Sequence, residues 1–413
     1  MGCDQGVPAP TGTMGPPPQV VWTYPANEAT SVPLTLTLRV QFDRFLMPST
    51  TIRQAMCLQA ATVGGESTAT DRCVSAGFAP QYDPVDRVAT WVIRGELDPR
   101  TRYNVRLFAP TNPQDQNGVR AFDGAALEKE FTFAFTTGEK HPGLEPARSF
   151  GFCDVQRLCP LPDGACDSPM PVAVTRSPYE FLANSCTSGG GCHGAGAAAP
   201  GVPSGSVLRL DDDGAGGGVV AAVHHLVANG VVASETATGA DPVAPSRNVL
   251  APFGHNMPYI DATNPGNSFL LYKVILAMAP RCPLDPNEES ATQAAVACDP
   301  AGPYAPFWYP QDFYDCKSVL EAGLARDPLG NCPSDAGFPP LPTKTGAKGD
   351  LVSPLLGPWV PADEWQPPAR GEYDRLRLRI RGSGMPQGGV VSRAEALALS
   401  AWIADGARVE TCP

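Results

Sequence analysis

The sequence predicts a multidomain chain: an N-terminal β-sandwich, then a mainly α-helical region carrying disulfide-rich loop insertions. Three observations predict it. Apolar and polar residues alternate with period two in runs spread between Val20 and Gly138. That alternation stops after residue 139 and gives way to helix-period patterns with capping signals. Thirteen cysteines are present, several in evenly spaced pairs. At 413 residues the chain is too long for one ordinary core and suits two or three domains. The expected division is a tether over 1–18, the sandwich over 19–139, and the helical region over 140–413 with an insertion at about 280–370.

In the first region Leu34, Leu36, Leu38, Val40 and Phe42 alternate with Thr35, Thr37, Arg39 and Gln41, the pattern of a strand with one buried face. Near its end Phe131, Phe133 and Phe135 alternate with Thr132, Ala134 and Thr136. Between them "VATWVI" and "YNVRLF" are β-rich runs, divided by the turn clusters "DPVD", "LDPRTR" and "AFDG". Tyr103, following Leu97-Asp98-Pro99, suits a tyrosine corner whose hydroxyl bonds to upstream backbone.

In the second region Ser177-Pro178-Tyr179-Glu180 is a capping box with proline at the first helical position, so a helix carrying Phe181 and Leu182 should lead into Cys186. Val219 to Asn229 sets Val219, Val223 and Leu226 on one face, with Asn229-Gly230 as a stop. Leu271, Val274, Ile275 and Met278 follow the helical template. A last helix starts at a second capping box, Ser392 to Glu395, and runs through Leu399, Trp402 and Ile403 to Gly406.

Bulk properties narrow the function. Abundant glycine (42) and proline (46) put much of the chain in turns and loops. A net charge of -12 without any Lys/Arg-rich run argues against nucleic acid as a partner. The longest apolar run falls well short of the roughly 20 residues of a membrane helix. No G-x-S-x-G, H-E-x-x-H or phosphate-binding glycine loop occurs, and Asp211-Asp212-Asp213-Gly214 lacks the spacing of a calcium loop. The expectation is a binding or carrier protein rather than an enzyme.

Cys57/Cys73, Cys282/Cys298 and Cys316/Cys332 are each sixteen residues apart, as local disulfides in an oxidising compartment would be. Each such loop stabilises by about 3 kcal/mol in the chain-entropy account. The odd count leaves one cysteine over. Cys3, in "MGCDQG" ahead of the tether "VPAPTGTMGPPP", resembles the lipidated first residue of a mature bacterial lipoprotein. That resemblance implies a lipid anchor and a place in the bacterial cell envelope, periplasmic or on the outer membrane.

"YPANEATSVPLTLTLRVQFDRFLMPST", "LDPRTRYNVRLFAP" and "AFDGAALEKEFTFAFTTG" together resemble the bacterial Ig-like domain of surface and S-layer-associated proteins. Such domains serve as spacers or adhesion modules, and the sandwich is expected to be a stalk. The later segments resemble class I cytochrome c domains. Cys192-His193-Gly194, "NPGNSFLLYKV" at 264–274, "GSGMPQGG" at 382–389 and "AWIADGA" at 401–407 carry this likeness. It implies haem c on Cys186 and Cys192 with His193 and Met385 as axial ligands, and single-electron transfer with an unidentified redox partner.

Two features depart from that family. "TSGGG" puts five residues between the cysteines, and about 100 residues separate the 264–278 helix from Met385. The alternative is a haem-less structural or adhesive lipoprotein with Cys186 and Cys192 joined as a disulfide. Met257, also followed by proline, is a reserve distal ligand. His224 or His225 with His255 and Met257 is a further alternative, a copper site of imidazole and thioether donors.

Overall fold

The computed structural model describes residues 14–61, 73, 78–93, 95–111, 118–139, 151–154, 157–158, 173–174, 176–187, 218–228, 253–254, 257–278, 352–353, 357–358, 368, 370–380, 391, 393–410 and 412. The first region forms a sandwich of two four-stranded sheets. One has the order β1-β3-β6-β5, built from Val20–Tyr24 (β1), Thr37–Phe42 (β3), Phe78–Asp83 (β5) and Val88–Ile93 (β6). The other has the order β2-β8-β7-β4, from Ala29–Val32 (β2), Met56–Ala60 (β4), Arg102–Leu107 (β7) and Phe131–Thr137 (β8). Pairing is antiparallel except between β2 and β8.

Register explains the core. Leu38 faces Trp91 and Val40 faces Ala89 in one sheet, while Val105 faces Leu58 and Phe133 in the other. The two apolar faces close on each other as one buried cluster. Tyr103 forms the expected corner: the Asp98 amide donates to its hydroxyl at 3.0 Å, and its ring stacks on Phe135 at 5.7 Å.

One expectation is corrected here. The alternation through β3 predicts a polar face in water, yet Arg39 is 5% and Gln41 0% exposed. The Arg39 guanidinium lies over the Tyr24 and Trp22 rings at 4.6 and 5.1 Å, and Gln41 donates to the Asp86 carbonyl at 3.1 Å. Both faces of this strand are therefore covered.

The second region contributes the helices Pro178–Thr187 (α1), Gly218–Ala228 (α2), Phe269–Met278 (α3), Arg370–Arg379 (α4) and Arg393–Ala404 (α5). Two short strand pairs accompany them, Arg157–Leu158 with Ala173–Val174 and Val352–Ser353 with Gly357–Pro358. The box at α1 is reciprocal, with the Glu180 amide donating to Ser177 Oγ at 3.1 Å and the Ser177 amide to Glu180 Oε2 at 3.0 Å. At the end of α5, Gly406 has φ +99°; its amide bonds to the Ile403 carbonyl and the Ala407 amide to the Trp402 carbonyl. This pair of bonds is a Schellman stop. α4 is not foreseen by periodicity, because "RGEYDRLRLR" carries charges on every side.

Phe181, Leu182, Val223, Leu226, Leu399, Trp402, Ile403 and every residue of α3 except Lys273 form a second core. Phe45, Val85 and Phe122, which belong to the sandwich, are part of that same cluster. The expected stalk is thus joined to the helices through shared packing. No described helix is long and apolar enough to cross a membrane.

The Cys57–Cys73 disulfide forms as its spacing predicts. Cys153 instead pairs with Cys412, 259 residues away, a link that local spacing does not suggest. Cys282, Cys298, Cys316 and Cys332 lie outside the described residues.

Candidate functional site

Of the predicted haem positions, Cys186 lies in the last turn of α1. Cys192, His193 and Met385 lie outside the described residues, as does Cys3. The described residues therefore bring no haem-ligand set together. The reserve ligand Met257 is buried among the apolar residues of the helical core, its amide bonded to the Gly254 carbonyl at 3.0 Å.

The copper alternative draws on α2. Val223 and Leu226 face the core while His224 is exposed, as the turn of a helix requires of neighbours about 100 degrees apart. His225 is on the same helix, its side chain outside the description, and His255 lies outside the described residues. Among the described residues no three His, Cys, Asp or Glu side chains gather as a metal site would need.

A cluster of buried charged groups lies at the joint between sandwich and helices. The segment after β3 carries Arg44, whose Nε donates to both oxygens of Glu372 on α4 at 3.0 Å and whose terminal nitrogen donates to Asp123 at 2.7 Å. The Phe45 amide also donates to Glu372, at 3.1 Å. Burial alone would raise the Asp123 carboxyl, but hydrogen bonds from Arg44 and the Gly15 amide hold it below the usual carboxylate range. The turn between β5 and β6 carries Asp86, which receives two parallel bonds from Arg393 at the start of α5, at 2.6 and 2.7 Å. Both side chains of that pair are 0% exposed. Beside them the Ser400 hydroxyl donates to Asp83 at 2.9 Å, and Gln81 donates to the Thr263 carbonyl at 2.6 Å.

Sequence reasoning takes "DPVD" for an ordinary turn and misses this role. A signal was present: Val85 is an apolar residue that a solvated turn does not need, and here it enters the helical core.

A groove of about 650 Å³ opens on the sandwich, lined by β1, the cis Tyr24-Pro25 turn, β2 and Phe131.

With this geometry established, the comparisons with known proteins bear on the sandwich. Residues 15–137 match the bacterial Ig-like domain. A bacterial Ig-like domain thus occupies the part of the chain that folds as two sheets. Among solved structures, domains 1–6 of the surface layer protein SbsC align over 32% of this chain and 16% of that one, with 17% identity and a TM-score of 0.21. CopC from Methylosinus trichosporium OB3b aligns over 31% of this chain and 99% of its own, with 13% identity and a TM-score of 0.18. The LD transpeptidase LdtMt1 in complex with imipenem aligns over 40% of this chain and 75% of its own, with 16% identity and a TM-score of 0.18. The chain spans about a sixth of the S-layer protein it aligns with. At these TM-scores none of the three assigns this chain a property. No curated protein matches the chain.

Proposed function

We propose that this chain is an exported structural or adhesive protein of the bacterial envelope, held there by lipid on Cys3. The observation that carries this reading is the Ig-like domain built into a head crosslinked by Cys57–Cys73 and Cys153–Cys412. Disulfides of this kind persist in oxidising compartments, and bacterial Ig-like domains belong to surface architecture. The head presents its groove and outer sheet edges on a crosslinked body.

A second reading has one observation in its favour. α1 starts at its capping box, runs through Cys186 and packs against α5, the helix stopped at Gly406 after Trp402. That is the order of elements the cytochrome-like segments imply, with Cys186 and Cys192 holding haem c and His193 and Met385 ligating it. Bound haem would supply one-electron redox chemistry.

One preparation tests both. The chain is exported from a bacterial host that has the cytochrome c maturation machinery, and its location, absorption spectrum and intact mass are recorded. A colourless protein, accessible to protease on whole cells and released by Cys3→Ser, is expected. A Soret band that survives denaturation, with a mass gain of one haem, would replace the structural reading with the electron-transfer one. A chain that stays in the cytoplasm would overturn both.

A further inference from the structure

We propose that the Ig-like sandwich and the helical lobe are one folding unit, held in a fixed mutual orientation by a two-point clasp of buried guanidinium–carboxylate pairs. The first point is Arg393 with Asp86; the second is Arg44 with Glu372 and Asp123. The inference rests on the joint alone and holds whichever function is right.

An Ig-like domain that serves as a spacer closes its own core and exposes its end loops. Here three end-loop side chains, Phe45, Val85 and Phe122, belong to the helical core instead. Phe45 makes edge contacts with Phe122 at 6.4 Å and with Tyr373 of α4 at 5.8 Å. Phe122 continues the row to Phe253 at 5.7 Å, and Phe253 to Tyr272 of α3 at 4.8 Å. Removing the helices would put this aromatic row into water. Backbone approach is equally close: a Cβ on Gly266 would come within 2.7 Å of the Tyr82 carbonyl.

Apolar contact makes the lobes adhere but leaves their angle loosely set, since it is non-directional. The buried ions set the angle. A guanidinium taken out of water is strongly unfavourable unless its carboxylate meets it in bidentate geometry. Arg393 and Asp86 stand 307 residues apart, and Arg44 and Glu372 stand 328 apart. Two pairs on separate helices, the fork of Arg393 of α5 on Asp86 and the Nε bond of Arg44 to Glu372 of α4, fix the rotation of the helical lobe about the sandwich. Any other docking angle would strand Arg393 and Asp86 and would take Arg44 from Glu372. The clasp thus serves specificity more than net stability, a role that buried ionic groups have in some proteins.

The test is hydrogen exchange in rising denaturant on the full oxidised chain, followed by mass spectrometry of peptides from β6 and from α5. In the wild type the two peptides should lose protection at one midpoint. In Arg393→Ala, which strands Asp86, the midpoints should separate, with α5 opening first. Arg393→Lys keeps the charge and loses the fork, so it should give a smaller separation, and it decides the matter if the alanine variant does not fold. Asp86→Leu with Arg393→Met removes the stranded charge together with the pair, so the midpoints should stay apart but by less than in Arg393→Ala. Separate midpoints in the wild type would show two independent domains and overturn the inference. A common midpoint retained in both Arg393→Lys and Arg393→Ala would show that packing alone joins the lobes, and would overturn the clasp.

Discussion

The Cys153–Cys412 disulfide gives the sharpest prediction of magnitude, because the chain holds a second disulfide to compare it with. Replacing both cysteines of a pair by serine frees the unfolded chain from a loop, and the entropy released grows with the logarithm of loop length. The separations are 259 residues for Cys153–Cys412 and 16 for Cys57–Cys73. The loop-closure expression turns these into about 5.6 and about 3.1 kcal/mol at 25 °C. With a guanidinium slope of roughly 5 kcal/mol per molar, the midpoints should fall by about 1.1 and about 0.6 M. The ratio of the two shifts, nearly two, does not depend on the slope.

The native side of the longer link points the same way. Phe152 lies against Trp402 with centroids 5.1 Å apart, its carbonyl accepts from the Tyr179 amide, and Trp402 Nε1 donates to the Arg408 carbonyl at 2.8 Å. Those contacts keep the ends of the loop in place once the link is gone, so most of the loss should arise in the unfolded state. The assay is equilibrium unfolding of the two double-serine variants beside the wild type, by circular dichroism. A midpoint shift for Cys57–Cys73 equal to or greater than that for Cys153–Cys412 would refute the entropic reasoning and point to native contacts as the source.

Three smaller perturbations test single elements. Tyr103→Phe keeps the stack on Phe135 and removes the acceptor of the Asp98 amide, so urea unfolding should show a loss of about 1 kcal/mol; an unchanged midpoint would mean the corner holds without its hydroxyl. Gly406→Ala meets no neighbouring atom but must adopt φ +99°, so it should cost about 1 kcal/mol by backbone conformation alone, read as a lower melting temperature. Lys273 is buried in α3, and burial pushes its ammonium down to about 8 from 10.5. The unfolded chain then holds this proton up to about pH 10.5 while the folded one releases it near 8, so stability should rise with pH between those values. Lys273→Met removes that rise, and the gap between variant and wild type should narrow from pH 7.5 to pH 10; parallel curves would contradict the burial.

Much of the local structure was legible beforehand. The inner face of β3, the Tyr103 corner, the α1 box at Ser177 and Glu180, and the stop at Gly406 each depend on residues within a few positions of one another, and each formed where the pattern placed it. The Cys57–Cys73 link belongs with them. The haem positions Cys192, His193 and Met385 fall outside the described residues, and Cys186 enters only as part of α1. The sequence names the candidate site as a set of residue types, and the described residues do not bring that set together. α4 escaped notice because its charged residues, Glu372 above all, mark a solvated helix when no partner is in view.

The sequence by itself determined the two-sheet sandwich, the helix ends and the short disulfide, because side-chain alternation, capping bonds and turn chemistry act over short stretches that carry their own signal. Only the tertiary structure decided which charged residues would be buried. Arg39, Arg44, Asp86, Glu372 and Arg393 look like surface positions in every local pattern, and they are enclosed because partners from distant parts of the chain meet them. The same holds for Cys153 and Cys412. A charge or a thiol fits many partners equally well along the chain, and only tertiary packing selects among them.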